Sequence, residues 1–452
     1  MSTVTIVSLV LFGITYILMM AFQKIRPYVA IGSAVIFVLM GSLHIFEGYS
    51  YTPLEALGEI DWNVIMMIAG TMGTVYLFIE SKMPQLMSDY LISKMPNVKW
   101  AVFAMSLFAG VISAFVDNVA TVLMIAPVAI AVCKKLEISP VPSIICIAVS
   151  SNLQGAATLV GDTTSILLGK AANLDFTDFF VDEGRPGMFF VVEAGALASA
   201  LIILWMFRRE KSPVNSMERT VVEDKFPTVL LIATVLTLIA VSFIPYKQNA
   251  EPGQFYKPDI TNGLICVFYF IIGLVRDIIK RRSFKMLKAS FMEIDYYTIA
   301  LLAGLFVVIG GVSRAGVITM IGKAIAGIGG SSGTSVFLIY TIIVWISVLI
   351  SAFIDNIPYT ATMLPVVAVI AADLSATSGI AVEPKLLYYG LLCGATLGGN
   401  LTPIGASANI AGIGILRKEG YEVKAGTFMK FGIPFTLAAV ITGYILIWVI
   451  WH

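Results

Sequence analysis

Ser113-Ala-Phe-Val-Asp117-Asn118 and Ser351-Ala-Phe-Ile-Asp355-Asn356 are near copies, offset by 238 residues (351 less 113). Pro127 and Pro365 follow the two acids at the same spacing. Each copy lies in the middle of an apolar run, near 100–133 and 334–372. A carboxylate at membrane depth costs several kcal/mol, so an acid placed there points to function. Two such acids in matching halves point to a duplicated transporter with an ion site between its repeats.

The duplication extends outward from these motifs. Upstream, Glu59-Ile-Asp61-Trp62 matches Glu293-Ile-Asp295-Tyr296. Downstream, Thr158-Leu-Val-Gly161 matches Thr402-Pro-Ile-Gly405. Three motifs in one order at slowly drifting offsets make an internal duplication the reading.

Composition sets the class. Of 452 residues, 58% are hydrophobic and 13% charged, against about 25% charged in soluble domains. This predicts an all-α polytopic membrane protein whose main partner is the lipid bilayer. No extramembrane stretch suits a soluble domain, which argues against nucleic-acid binding and soluble catalysis. No Ser-His-Asp, P-loop or GxGxxG arrangement occurs, so an enzyme is not expected. Cys133, Cys146, Cys266 and Cys393 are scattered, and His44 and His452 are the two histidines. Neither set has metal-ligand spacing, and no cofactor is expected.

Apolar runs of about 20 residues, enough to cross the hydrocarbon core, fall near 3–22, 28–46, 62–80, 187–207, 227–245, 260–279, 296–313 and 431–451. The segments near 141–169 and 385–416 are apolar but broken by Gly, Thr and Asn, which predicts helices unwound at the midplane. The two Asp-Asn runs would be roughly 50 Å long as single helices, too long for one span, and each arm is slightly short for a full one. A re-entrant hairpin with a polar tip fits them. Each half then has about five transmembrane helices plus one hairpin, and an odd number of spans makes the repeats inverted. The expected organisation is a first repeat over 1–208, a cytoplasmic linker over 209–226 and a second repeat over 227–452.

Charge supports the inverted arrangement. With both termini outside, 21 Lys and Arg, Lys24 and Arg26 among them, fall on the inner side and 7 on the outer. The positive-inside rule favours that orientation. An inner or plasma membrane location is expected.

The first tip offers Ser113, Asp117, Asn118 and Thr121, and the second Ser351, Asp355, Asn356 and Thr360. Oxygen ligands at a helix break suit Na⁺ or H⁺ as coupling ion, with Na⁺ at Asp117, Asn118, Asp355 and Asn356. Asp and Asn also cap helices, and both roles can hold together. The unwound segments add Asn152, Thr158, Asp162 and Thr163 on one side and Asn400, Thr402, Ser407 and Asn409 on the other. Asp162 is matched by Ala406, so the halves are not equivalent. Glu59, Asp61, Glu293 and Asp295 read as interfacial caps, and Gly327–Gly333 as a loop.

At these motifs the chain resembles the ion transporter superfamily, in the branch of arsenite-efflux permeases, the P protein and NhaD-type sodium/proton antiporters. The residues that carry the resemblance are Phe115-Val-Asp117-Asn118 through Pro127, Asn152 through Thr164, Asp355-Asn356 through Pro365, and Gly399 through Asn409. It implies two inverted repeats, hairpins facing the membrane centre and an elevator-like transport domain on a dimeric scaffold, hence a homodimer. It implies a proton- or sodium-coupled antiporter or permease carrying arsenite or Na⁺. The alternative is the related Na⁺-coupled di- or tricarboxylate symporter. That branch carries Ser-Asn-Thr at its tips, whereas Asp117, Asp162 and Asp355 would repel a dianion with no membrane-depth Arg or Lys to compensate.

Overall fold

The computed structural model describes residues 2–135, 137–210, 212–213, 220–222, 224–247, 254–328, 334–378 and 382–452. Parts of the 209–226 linker and of the Gly327–Gly333 loop therefore lie outside the described residues. The described chain is almost wholly helical, with one two-residue β-hairpin pairing Val181–Asp182 with Arg185–Pro186.

Helices α1 (Thr3–Ala21), α2 (Arg26–Ser42), α3 (Pro53–Glu59) and α4 (Trp62–Glu80) open the chain, followed by α5 (Met83–Ile92). Asp61 starts α4 by accepting a hydrogen bond from the Val64 N–H at 3.0 Å, which satisfies one of the orphan donors of the first turn. The first Asp-Asn run folds as α6 (Val98–Ser113) and α7 (Asn118–Lys135), a helical hairpin turning at residues 114–117. The broken segment follows as α8 (Val141–Gln154) and α9 (Thr163–Ala172), and α10 (Met188–Met206) closes the first half.

The second half repeats this order. It begins with α11 (Phe226–Ser242), α12 (Thr261–Arg281), α13 (Lys285–Glu293), α14 (Tyr296–Arg314) and α15 (Val317–Ile328). Asp295 caps α14 through the Thr298 N–H at 3.0 Å, as Asp61 caps α4. The second hairpin is α16 (Thr334–Ser351) and α17 (Asn356–Ser378), then come α18 (Pro384–Gly398), α19 (Ser407–Lys418) and α20 (Ala425–Trp451). Pro127 and Pro365 lie inside α7 and α17.

By length and composition α1, α4, α10, α12, α14, α17 and α20 can each cross a membrane. α17, expected as an arm slightly short of a full span and ending near 372, is 23 residues long and runs on to Ser378.

Both broken segments unwind as the sequence predicts. A 3₁₀ turn at Gly155–Ala157 leads to Thr158 in extended backbone (φ −132°, ψ 166°). The matching turn at Gly399–Leu401 leads to Thr402 (φ −126°, ψ 159°). Gly at the turns and Pro403 beyond one of them remove the side chain or the N–H that a continuous helix would use.

Packing pairs the halves. α4 lies along α12, α2 along α14 and α10 along α20, while α6 packs on α8 and α16 on α18. One group of helices (α1–α4, α11–α14) thus faces a second built on the hairpins and broken helices. The two groups meet where α14 touches α17 and α4 touches α9. The linker is stapled down at both ends. Val98 and Lys99 donate N–H bonds to the Ser212 and Glu210 carbonyls at 3.0 and 3.1 Å. Asp89 on α5 accepts from the Thr220 N–H at 2.8 Å, and Asp224 pairs with Arg276 and Lys280 of α12 at 2.7 and 2.9 Å.

Candidate functional site

Each hairpin tip is shaped by its own acid. Asp117 Oδ1 accepts the Val119 and Ala120 N–H groups at 3.0 and 3.1 Å, starting α7. Asp355 Oδ1 accepts the Ile357 N–H at 3.1 Å, starting α17. The capping role therefore holds at both tips, and a second carboxylate oxygen is left at each for other chemistry.

The tips dock on the unwound segments through matching struts. Thr158 donates its hydroxyl to the Ala114 carbonyl, and Thr402 does the same to Ala352. Ser351 donates to the Ala395 carbonyl, and Ser151 to the Ser113 hydroxyl at 3.0 Å. Asn409 donates to the Gly399 and Thr402 carbonyls at 3.1 and 3.2 Å, closing the second unwound turn on itself. Thr121 reaches the Val116 carbonyl at 3.5 Å, and the buried Thr360 hydroxyl has no partner among the described residues.

A chain of carboxamides joins the halves. Asn118 donates to Asn152 at 3.0 Å, Asn152 to Asn400 at 3.1 Å, and Asn400 to the Val149 carbonyl at 3.0 Å. Asn356 of the second tip reaches Asp162 of the first unwound segment at 3.3 Å. Asp162 also accepts from the Thr163 N–H at 2.8 Å and the Thr164 hydroxyl at 2.7 Å, at the start of α9.

In front of the network is a cavity of about 240 Å³, lined by Asp117, Asn118, Asp162, Thr163, Asn356 and Ser407. These six sequence-selected residues come together there. Ser113, Thr121, Asn152, Thr158, Ser351, Asp355, Thr360, Asn400, Thr402 and Asn409 are not among its lining residues, and most of them serve as struts and network members. The opposite wall is the other helix group, with Tyr76 of α4, and Glu293, Asp295 and Thr298 at the α13–α14 junction. Glu293 and Asp295 were expected to be interfacial caps alone. Asp295 does cap α14, and the hairpin packing also brings it to the cavity. Four carboxylates line this space, and no Lys, Arg or His among the described residues does.

The expectation that no basic side chain compensates the tip acids is overturned at the second tip. Arg26, placed by sequence in a basic loop, is the first residue of α2, and its side chain is 7% exposed. Its guanidinium reaches Asp355 Oδ2 at 3.3 Å, the oxygen that also accepts from Ser407 at 3.2 Å. The local signal was slight, an Arg immediately before Pro27 at a helix start. Among the described residues no basic side chain pairs with Asp117 or Asp162.

Comparison with known proteins places the chain in a family. An uncharacterized transporter of Mycobacterium tuberculosis is 27% identical over 455 residues, covering 98% of both chains. The P protein of Sus scrofa is 26% identical over 88% of this chain and 54% of its own length. Among solved structures, the YdaH transporter of Alcanivorax borkumensis superposes with a TM-score of 0.61 at 14% identity, over 94% of this chain and 97% of that one, a likeness of fold. The citrate transporter family (CitMHS) matches residues 14–394, so the chain belongs to that family and is a multi-pass membrane transporter of the ion transporter superfamily.

Proposed function

We propose that this chain is a cation-coupled secondary active transporter, with H⁺ or Na⁺ binding at Asp117 and Asp162. The observation that carries the proposal is the cavity lined by Asp117, Asp162, Glu293 and Asp295 with no basic residue among the described ones. Asp162 is buried and Asp117 half-buried, each without a basic partner among the described residues. A buried carboxylate lacking a counter-charge is costly, and a proton or bound cation removes that cost. Cation binding is thus coupled to the stability of this conformation, as an exchanger requires.

The two halves act as inverted repeats, 1–208 and 227–452, and the α6–α7 and α16–α17 hairpins are re-entrant. The hairpin group moves against the α1–α4 and α11–α14 group in an elevator-like step, in a homodimer with both termini outside. Antiport of Na⁺, or efflux of neutral arsenite, suits an acidic cavity.

A second reading is Na⁺-coupled di- or tricarboxylate symport. It is favoured by the name of the matching family and by α19, which starts at Ala406 without a side-chain cap. Free N–H groups at such a helix start can hold an anion. A bare polyanion would nonetheless face four carboxylates, so antiport stands first. Flux into proteoliposomes under imposed pH or Na⁺ gradients, across Na⁺, arsenite and citrate, tests both. Uptake of citrate alone, driven by Na⁺, would replace antiport with symport. Flux indifferent to both gradients would sink the coupled reading.

A further inference from the structure

We infer that Arg26 is an internal counter-ion that stands in for the coupling cation at Asp355 and locks the hairpin group to α2 in this conformation. The inference rests on the cation-coupled reading above and adds a residue that reading does not use.

The placement of Arg26 works against the helix it begins. A positive charge at a helix N-terminus opposes the helix dipole, and this one is 6% exposed as a residue. The side chain is instead aimed elsewhere. Its Nε–H donates to the Met19 carbonyl near the end of α1 at 3.1 Å, which orients the guanidinium toward Asp355 at 3.3 Å. The partners are 329 residues apart in sequence and belong to the two helix groups that meet at α14 and α17. The ion pair therefore forms only while tip 2 sits against the first turn of α2, and any sliding of the tip breaks it.

Among the described residues the first tip has no such partner, and Asp117 faces the acidic cavity. One tip is thus open to a cation from solution while the other is already neutralised by the protein. For Asp355 to take up a cation, Arg26 must leave, and its departure removes this ion pair from the contact between the groups. Losing one partner of a buried pair leaves the other charge uncompensated, which costs more than removing both. That asymmetry gives a decisive experiment.

Leu123 lines the cavity and is 50% exposed, so Leu123→Cys reports access to it. The four native cysteines are buried and are replaced in the background. Maleimide labelling is measured without Na⁺ for Arg26→Gln, Asp355→Asn, the double variant and Arg26→Lys. Each neutralising single variant should slow labelling by roughly tenfold, and the double variant should recover most of it, as a directly coupled pair requires. Arg26→Lys should stay near the parent. Additive losses in the double variant, or parental labelling in Arg26→Gln, would overturn the inference. Gradient-driven flux of Asp355→Asn is measured alongside. Intact flux in that variant would remove Asp355 from the coupling site whatever Arg26 does, whereas lost flux with additive labelling removes the Arg26 lock alone.

Discussion

Two glycines carry the contact between tips and unwound segments, and they offer a sharp test. A Cβ on Gly161 would stand 2.6 Å from the Gly155 carbonyl oxygen, 2.8 Å from that of Ser113 and 2.9 Å from that of Ala114. On Gly405 it would stand 2.6 Å from the Gly399 oxygen and 2.8 Å from those of Ser351 and Ala352. Carbon–oxygen contacts settle at about 3.3 Å or more, so several carbonyls must retreat by about half an ångström at once. All are backbone atoms, the Ala114 and Ala352 carbonyls already held by the Thr158 and Thr402 struts, and none can turn aside as a side chain would. Overpacking of this kind costs about 1–3 kcal/mol. Gly161→Ala and Gly405→Ala should each lower Tm in detergent and reduce flux, because the tip is pushed off the segment it docks on. Gly13→Ala and Gly414→Ala, where a Cβ would meet nothing within 4 Å, serve as controls. Melting and flux at control levels in both site variants would show that tips and unwound segments do not pack as described.

Other expectations follow from the same geometry. Asp117→Asn keeps the helix cap but removes the charge, so it should abolish gradient-driven flux while leaving expression intact; coupled flux at the parental rate would refute its role. Asp162→Ala removes an acceptor of three donors in a desolvated site and should weaken apparent cation affinity by roughly 5- to 150-fold, read from flux half-saturation. Outside the membrane segments, burial pushes the Asp178 carboxyl up to about 6, with Asp182 and Asp175 adding to the rise and the Asp175 N–H opposing it. A raised acid binds its proton more tightly in the folded state, so its contribution to stability grows as pH falls through 6. Asp178→Asn should therefore raise Tm at pH 8, and the gain should vanish by about pH 4; an equal gain at both would contradict the shift. For topology, single cysteines at Val221 and Leu54, 78% and 80% exposed, should label from opposite faces of the membrane.

Much of this was legible in the sequence because polar residues in an apolar run have few bland explanations. Asp117, Asp355 and the Thr158 and Thr402 breaks declared themselves that way, and the structure puts them on hairpin turns and unwound helices. What sequence could not separate was ligand from strut. Thr158 and Thr402 looked like binding hydroxyls, yet each bonds a tip carbonyl, and only tertiary packing decides which way a mid-span hydroxyl points. Arg26 was hidden for the opposite reason. It follows Lys24 at the edge of an apolar run, where a basic residue is ordinary, and its partner is 329 residues away. Glu293 and Asp295 shared that disguise, since a helix cap and a cavity wall call for the same residue type.

The stapled linker has a mechanical consequence. Thr220 is fixed to α5 through Asp89, and Asp224 to α12 through Arg276 and Lys280. Four peptide steps separate these anchors, and a chain that short spans at most roughly 14 Å when drawn straight. Whatever stroke carries α5 away from α12 is leashed to that length unless a staple opens. In the proposed elevator-like step the junction of the two halves would act as a travel stop, and lengthening it between Val221 and Asp224 would be the way to slacken it.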